Sequence, residues 1–154
     1  MSSTDLPSIL FVDDDREVRF LLEKTLEGTF EVVSAGSAGE ALAVLGNEEP
    51  GDGERESGNR EPVFCDSQPD LFLLDIRLPG GRDGVELLHL LQDFGLAESA
   101  PAVALTTYAR REERRALLAE GFDGHVSKPF RREELVGALR RALRPADACR
   151  TGLQ

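Results

Sequence analysis

The chain has 154 residues, 40% of them hydrophobic, and a formal net charge of −11. That length suits one domain with a single core, and no apolar run approaches the roughly 20 residues a membrane-spanning helix needs. Residues 1–70 hold 17 acids and 5 bases while residues 71–154 hold 12 and 13, and the acidic half argues against wrapping nucleic acid or docking on an anionic membrane.

The opening "MSSTDLPS" lacks the basic-then-apolar pattern of a signal peptide. "SILFV" (8–12) reads as a short buried strand. "REVRFLLEKTLEG" (16–28) reads as a helix, with Val18, Leu21, Leu22 and Leu26 at helical spacing and Gly28 as its stop. "FEVVSA" (30–35) is a strand and "AGEALAVLGN" (38–47) a helix ending near Gly46. "DLFLLD" (70–75) has no polar alternation, so both faces of that strand should be covered. "DGVELLHLLQDFG" (83–95) is a helix, "PAVALTT" (101–107) a strand and "REERRALLAEG" (111–121) a helix. "GHVS" (124–127) is the last strand and "RREELVGALRRAL" (131–143) the last helix. Five strands, each followed by a helix, predict an α/β fold: a doubly wound parallel sheet with right-handed crossovers and helices on both faces.

One stretch breaks the alternation. Residues 47–69 are rich in Gly, Pro and Glu and carry seven acids against two bases. They cannot bury enough apolar surface to order themselves, so they read as a long flexible acidic loop inside one domain. The expected organisation is a tail over 1–7, one domain over 8–144 and a tail over 145–154. Cys65 and Cys149 form neither a disulfide framework nor a metal-ligand spacing, and read as free thiols in a reducing cytosol.

"FVDDDRE" runs a buried strand straight into three adjacent carboxylates. In open parallel sheets, sites form outside the carboxyl ends of the strands. Asp13 and Asp14 end the first strand, Asp75 the third, Thr106 the fourth and Lys128 the fifth. Taken singly, each has a bland reading: Asp14 or Asp15 caps a helix, Asp75 makes a turn, Lys128 is a solvated charge. A helix has one N-cap, so capping cannot account for the whole cluster. Like-charged carboxylates become tolerable around a divalent cation, and Mg²⁺ favours a few carboxylates, waters and a phosphate oxygen.

"FVDDD", "LLDIRLPGGRDGVELL", "ALTTYA" and "GHVSKPF" together resemble the receiver domain of two-component response regulators, over about residues 8–144. The resemblance implies the flavodoxin-like five-stranded sheet of order 2-1-3-4-5. That order belongs to receivers as a family, so it follows from the resemblance and not from the residue pattern. The resemblance also implies Mg²⁺-dependent transfer of a phosphoryl group from a histidine kinase phosphohistidine to Asp75. Asp13 and Asp14 match the metal-binding acidic pair, with the Arg77 carbonyl as a further metal oxygen. Thr106 matches the switch hydroxyl, Lys128 the phosphate partner, with a cis bond to Pro129, and His125 the rotating aromatic switch. Backbone N–H groups after Asp75 and Thr106 are further candidate donors. Such a protein is not a turnover enzyme; it catalyses its own phosphorylation and slow dephosphorylation.

The expected partners are a sensor histidine kinase or phosphotransfer protein, a downstream protein and, after phosphorylation, a second copy. Direct nucleic-acid or membrane contact is not expected, and the expected location is cytoplasmic. "ALTTYAR" and "GFDGHVSKPF" look most like receivers associated with hybrid sensor kinases. Arg110, Arg111, Arg114, Arg115, Arg131, Arg132, Arg140 and Arg141, interleaved with Glu112, Glu113, Glu133 and Glu134, read either as an ordinary solvated surface of i,i+4 pairs or as an arginine-rich signalling face beside His125. Three departures stand out: an extra residue in "LPGGRDG", Thr107 where the family has a small residue, and the long 47–69 loop.

Other classes fit less well. A haloacid-dehalogenase-like phosphatase needs a second Asp at the position of Arg77. A flavin- or nucleotide-binding module would place a glycine- or hydroxyl-rich turn, not "DDDRE", after the first strand. The alternative kept open is a receiver-like interaction module that is not phosphorylated.

Overall fold

The computed structural model describes residues 6–46, 68–76, 84–96, 100–107 and 111–143. Ten elements alternate along them: β1 (Ser8–Val12), α1 (Arg16–Leu26), β2 (Glu31–Ala35), α2 (Ala38–Val44), β3 (Leu71–Asp75), α3 (Gly84–Asp93), β4 (Ala102–Thr106), α4 (Arg111–Glu120), β5 (Gly124–Ser127) and α5 (Arg132–Leu143). All strand pairs are parallel, in the order β2-β1-β3-β4-β5. The expected doubly wound sheet and strand order are both observed. The 47–69 loop (save Gln68 and Pro69), Arg77, Arg110, both cysteines and most of both tails lie outside the described residues.

Strand alternation sorts the core into two layers. Ile9, Phe11, Leu71, Leu73, Val103, Leu105 and Val126 point to one face and pack with Leu22 and Leu26 of α1 and Leu135 and Leu139 of α5. Leu10, Val12, Phe72, Leu74, Ala102 and Ala104 point to the other and pack with α2, α3 and Leu117 of α4. The residues of β3 and β4 are buried throughout, because both faces of a central parallel strand are covered. Each large side chain buried this way contributes about 1.5–3 kcal/mol of transfer free energy.

Helix ends follow the sequence signals closely. Asp15 caps α1, its side chain accepting from the N–H groups of Glu17 and Val18. Ser37 caps α2 through the Glu40 N–H. Gly28 and Gly46 take φ of 86° and 83°, left-handed values that end the two helices cheaply only in glycine.

Two expectations need correction. Leu21 does not join the buried stripe of α1: it is 54% exposed, beside Phe20 at 63%. Val18, Leu22 and Leu26 recur at four-residue intervals along one stripe, and Leu21 lies about 100° around the helix from Leu22. Arg132 is not part of a free arginine face. Its guanidinium donates to the Thr25 carbonyl and the Thr29 hydroxyl, tying the start of α5 to the end of α1.

Candidate acidic centre at the carboxyl edge of the sheet

Register brings the acidic residues together. Phe11 pairs with Leu73 and Val12 with Leu74, so the next step sets Asp13 beside Asp75. Both continue the alternation that turns Ile9, Phe11, Leu71 and Leu73 toward α1 and α5, and Lys128 keeps the parity of Val126. Asp13 has no exposed surface and Asp75 only 4%, whereas Asp14 is exposed. One carboxylate oxygen from each of Asp13, Asp14 and Asp75 lies within 4.8 Å of the others.

Lys128 reaches into this cluster. Its Nζ lies 3.0 Å from Asp13 Oδ2 and 3.3 Å from Asp75 Oδ2. Burial alone would lower its pKa. The close approach of Asp13, and the charges of Asp13 and Asp75, outweigh burial and hold the ammonium above its ordinary 10.5. Asp13 Oδ1 accepts the Asp15 N–H at 2.9 Å. Asp13 Oδ2 is fully buried and has the ammonium as a charge neighbour without the geometry of a directed hydrogen bond. Three carboxylates face one ammonium. That surplus of negative charge, the under-satisfied oxygen and an all-oxygen donor set fit a hard divalent cation such as Mg²⁺.

The backbone under Asp75 is held tightly. The Ile76 N–H donates to the Leu105 carbonyl at 3.0 Å, and the Gly84 N–H to the Ile76 carbonyl at 2.8 Å. A Cβ on Gly84 would stand 2.5 Å from the Asp75 carbonyl oxygen, so the start of α3 abuts the strand end only because residue 84 is glycine. The Ile76 N–H is thus engaged in the sheet; the next N–H after Asp75, that of Arg77, lies outside the described residues.

Thr106 is the buried last residue of β4, and its carbonyl accepts the Lys128 N–H at 2.8 Å. Thr107 is exposed at the rim. The Lys128–Pro129 peptide bond is cis. His125 pairs in register with Ala104 and is partly buried on the α4 side. Burial first, and then the Arg114 charge, hold its pKa below 6.5. Arg77 lies outside the described residues. Of the expected arginine face, Arg111, Arg115, Arg131, Arg140 and Arg141 are exposed, while Arg114 is partly buried.

Two contributors are not legible from motif spacing. Arg19 donates from Nη1 to the Asp13 carbonyl at 2.6 Å. Gly84 reads in the sequence only as part of a helix start, and its steric role needs the tertiary approach of α3 to appear. Glu17, three residues after Asp14, suggests a capping box from Asp14; in the fold Asp15 is the cap, leaving the Asp14 carboxylate to the cluster.

The geometry can be set beside known proteins. The family described as response regulator receiver domain matches residues 60–140, a span that includes Asp75, Thr106 and Lys128 but not Asp13 or Asp14. A 14.6 kDa protein from the sodA1 3′ region of Leptolyngbya boryana is 37% identical over 83% of each chain. The phosphate regulon transcriptional regulatory protein PhoB of Pseudomonas aeruginosa is 31% identical over 89% of this chain and 52% of its own. The KDP operon transcriptional regulatory protein KdpE of Escherichia coli is 30% identical over 90% and 52%. The chain thus spans about half the length of these two transcriptional regulators. Among solved structures, chemotaxis response regulator CheY4 of Vibrio cholerae superposes with a TM-score of 0.70 at 25% identity, covering 89% of this chain and 98% of that one. A CheY-like response regulator receiver domain protein from Methanospirillum hungatei gives 0.66 at 29% identity, covering 90% and 94%.

Proposed function

The chain belongs to the response regulator receiver family, and we propose that Asp75 accepts a phosphoryl group from a phosphohistidine in a Mg²⁺-dependent reaction. The observation that carries this is the buried Asp75 carboxylate held 3.3 Å from an ammonium that also contacts Asp13 at 3.0 Å. Membership places the chain in two-component signalling. No helix among the described residues is long and apolar enough to cross a membrane.

The residues divide the work. A carboxylate oxygen of Asp75 attacks phosphorus in line with the departing imidazole nitrogen; the P–O bond forms as the P–N bond breaks. Lys128 balances charge on the transferred group. Asp13, Asp14 and Asp75, with the Arg77 carbonyl, would hold Mg²⁺, which would supply charge screening for the transfer when bound. The product adds nearly two negative charges beside Thr106. The Thr106 hydroxyl then turns toward the phosphate and His125 swings inward, reshaping the face formed by α4, β5 and α5. The proposed readout is a downstream protein, or a second copy meeting through that face in C₂ symmetry.

The donor is a cytoplasmic sensor histidine kinase or phosphotransfer protein. The likeness of "GHVSKPF" to hybrid-kinase receivers favours a phosphorelay. Phosphotransfer from purified candidate kinases checks this, and no transfer from any of them rejects it. The domain reading is one receiver over 8–144, with 47–69 as an acidic loop within it and tails at 1–7 and 145–154.

The decisive experiment treats the protein with acetyl phosphate and Mg²⁺ and reads intact mass. One phosphate adduct is expected on the parent and none on Asp75→Asn. An adduct that survives the substitution rejects Asp75 as acceptor. No adduct on the parent favours the interaction-module reading instead.

A further inference from the structure

The Asp13–Asp14 peptide lies in a gap between two regular elements. The β1 ladder ends at Val12 on both sides, and α1 begins only after its cap at Asp15. The Asp13 N–H still reaches the Ala35 carbonyl at 3.0 Å. The carbonyl on the other side of the residue is taken by Arg19, whose Nη1 donates to it at 2.6 Å from the second turn of α1. That peptide links the two adjacent carboxylates of the cluster, so its rotation would move Asp14 relative to Asp13.

The guanidinium is seated as well as bonded. It lies against the β2–α2 turn, where a Cβ on Gly36 would stand 2.9 Å from Nη1 and 3.5 Å from Cζ. The Gly36 N–H donates to Glu40 Oε1 at 2.8 Å, and that oxygen would be 3.3 Å from the same Cβ. Gly36 does not have a left-handed φ. Its backbone would therefore accept a side chain, and a Cβ there would have to displace the guanidinium tip and press on Glu40 Oε1. The donation goes to a carbonyl. It brings positive charge behind the acidic cluster without occupying the Asp13 carboxylate.

We propose that Arg19 is a positioning residue for the acidic centre: it locks the Asp13–Asp14 peptide so that both carboxylates meet one divalent cation, and Gly36 is glycine to make room for it. This rests on the Mg²⁺ site proposed above. Groups that orient metal ligands without touching the metal typically govern about 10–100-fold in affinity.

The test titrates Mg²⁺ into the full-length ¹⁵N-labelled protein, following amide shifts, with the melting temperature of each variant recorded without metal. Arg19→Leu keeps the apolar stem and should weaken Mg²⁺ about tenfold. Arg19→Lys retains a cationic donor of similar reach and should recover most of that loss. Gly36→Ala, which displaces the guanidinium without removing it, should weaken Mg²⁺ in the parent and add nothing to Arg19→Leu, the signature of one shared interaction. A parent that binds no Mg²⁺ removes the underlying reading and this one with it. A parent that binds, with Arg19→Leu within about twofold of it or with Arg19→Lys losing as much as Arg19→Leu, overturns the role of Arg19 alone. Should Arg19→Leu fail to fold, Gly36→Ala decides, and unchanged affinity there overturns the proposal.

Discussion

Ile9, Leu10, Phe11 and Val12 have no exposed surface, and neither does Asp13, the next residue along. The burial is equal and the physics is opposite. For the four apolar side chains, removal from water is the source of stability, and any well-packed neighbour will serve. For the carboxylate, burial costs free energy unless specific partners return it. Here the partners are a backbone N–H at 2.9 Å, an ammonium at 3.0 Å and, as proposed, a cation. The strand interiors therefore hold the fold, while the strand ends hold a charged centre whose stability depends on specific partners.

The comparison breaks most sharply under paired substitutions. Leu73→Ala removes a fully buried side chain from the middle strand and should cost about 2–5 kcal/mol, read as a lower urea midpoint at unchanged m-value. Asp13→Asn should act in the other direction. It relieves repulsion in a cluster where Lys128 still has Asp75, so without metal its midpoint should equal or exceed the parent's, while Mg²⁺ affinity falls. If Asp13→Asn destabilises as much as Leu73→Ala, the buried carboxylate is structural and the contrast fails.

Gly84→Ala tests the seam between the two regions. The added methyl meets the Asp75 carbonyl oxygen at 2.5 Å, and backbone cannot yield as a side-chain tip can. An overpacking cost of about 1–3 kcal/mol is expected, together with slower phosphorylation by acetyl phosphate because the acceptor's backbone shifts. Normal stability with normal phosphorylation would show that α3 can withdraw freely, and that Gly84 does not set the position of Asp75.

How much was legible in the sequence follows the same division. Apolar runs and helical stripes gave all ten elements, because burial against a two-sided sheet leaves a period that can be counted. Their ends moved by up to three residues: α1 stops at Leu26, α2 at Val44, and α3 begins at Gly84. Leu21 misled because neighbouring leucines do not reveal which one the core takes. At the edge, the positions of Asp13, Asp75, Thr106 and Lys128 followed from strand ends, since a parallel sheet delivers its carboxyl ends to one side. Arg19, Gly36 and Gly84 could not be read, because their roles depend on distances between elements. Nor could Ile76, whose N–H is committed to Leu105.

The smallest expected effect belongs to His125, a titratable ring among strand residues. Its pKa lies below 6.5 in the fold, chiefly through burial and then through Arg114. Between 6.5 and that lowered value, the unfolded chain binds the proton and the folded one resists it. Above 6.5 both are neutral and the group contributes nothing to pH dependence. Stability should therefore fall as pH drops through 6.5 and level off below the folded pKa. Urea midpoints at pH 7.5 and 5.5 should differ less in His125→Phe than in the parent. Arg114→Gln should lie between them, since it removes the charge and leaves the burial. The sign also bears on the proposed switch. A ring that stays neutral at neutral pH can swing inward as an aromatic would, without carrying a charge into the core. If His125→Phe shows the parent's full pH dependence, the ring is not shifted downward, and burial on the α4 side does not set its protonation.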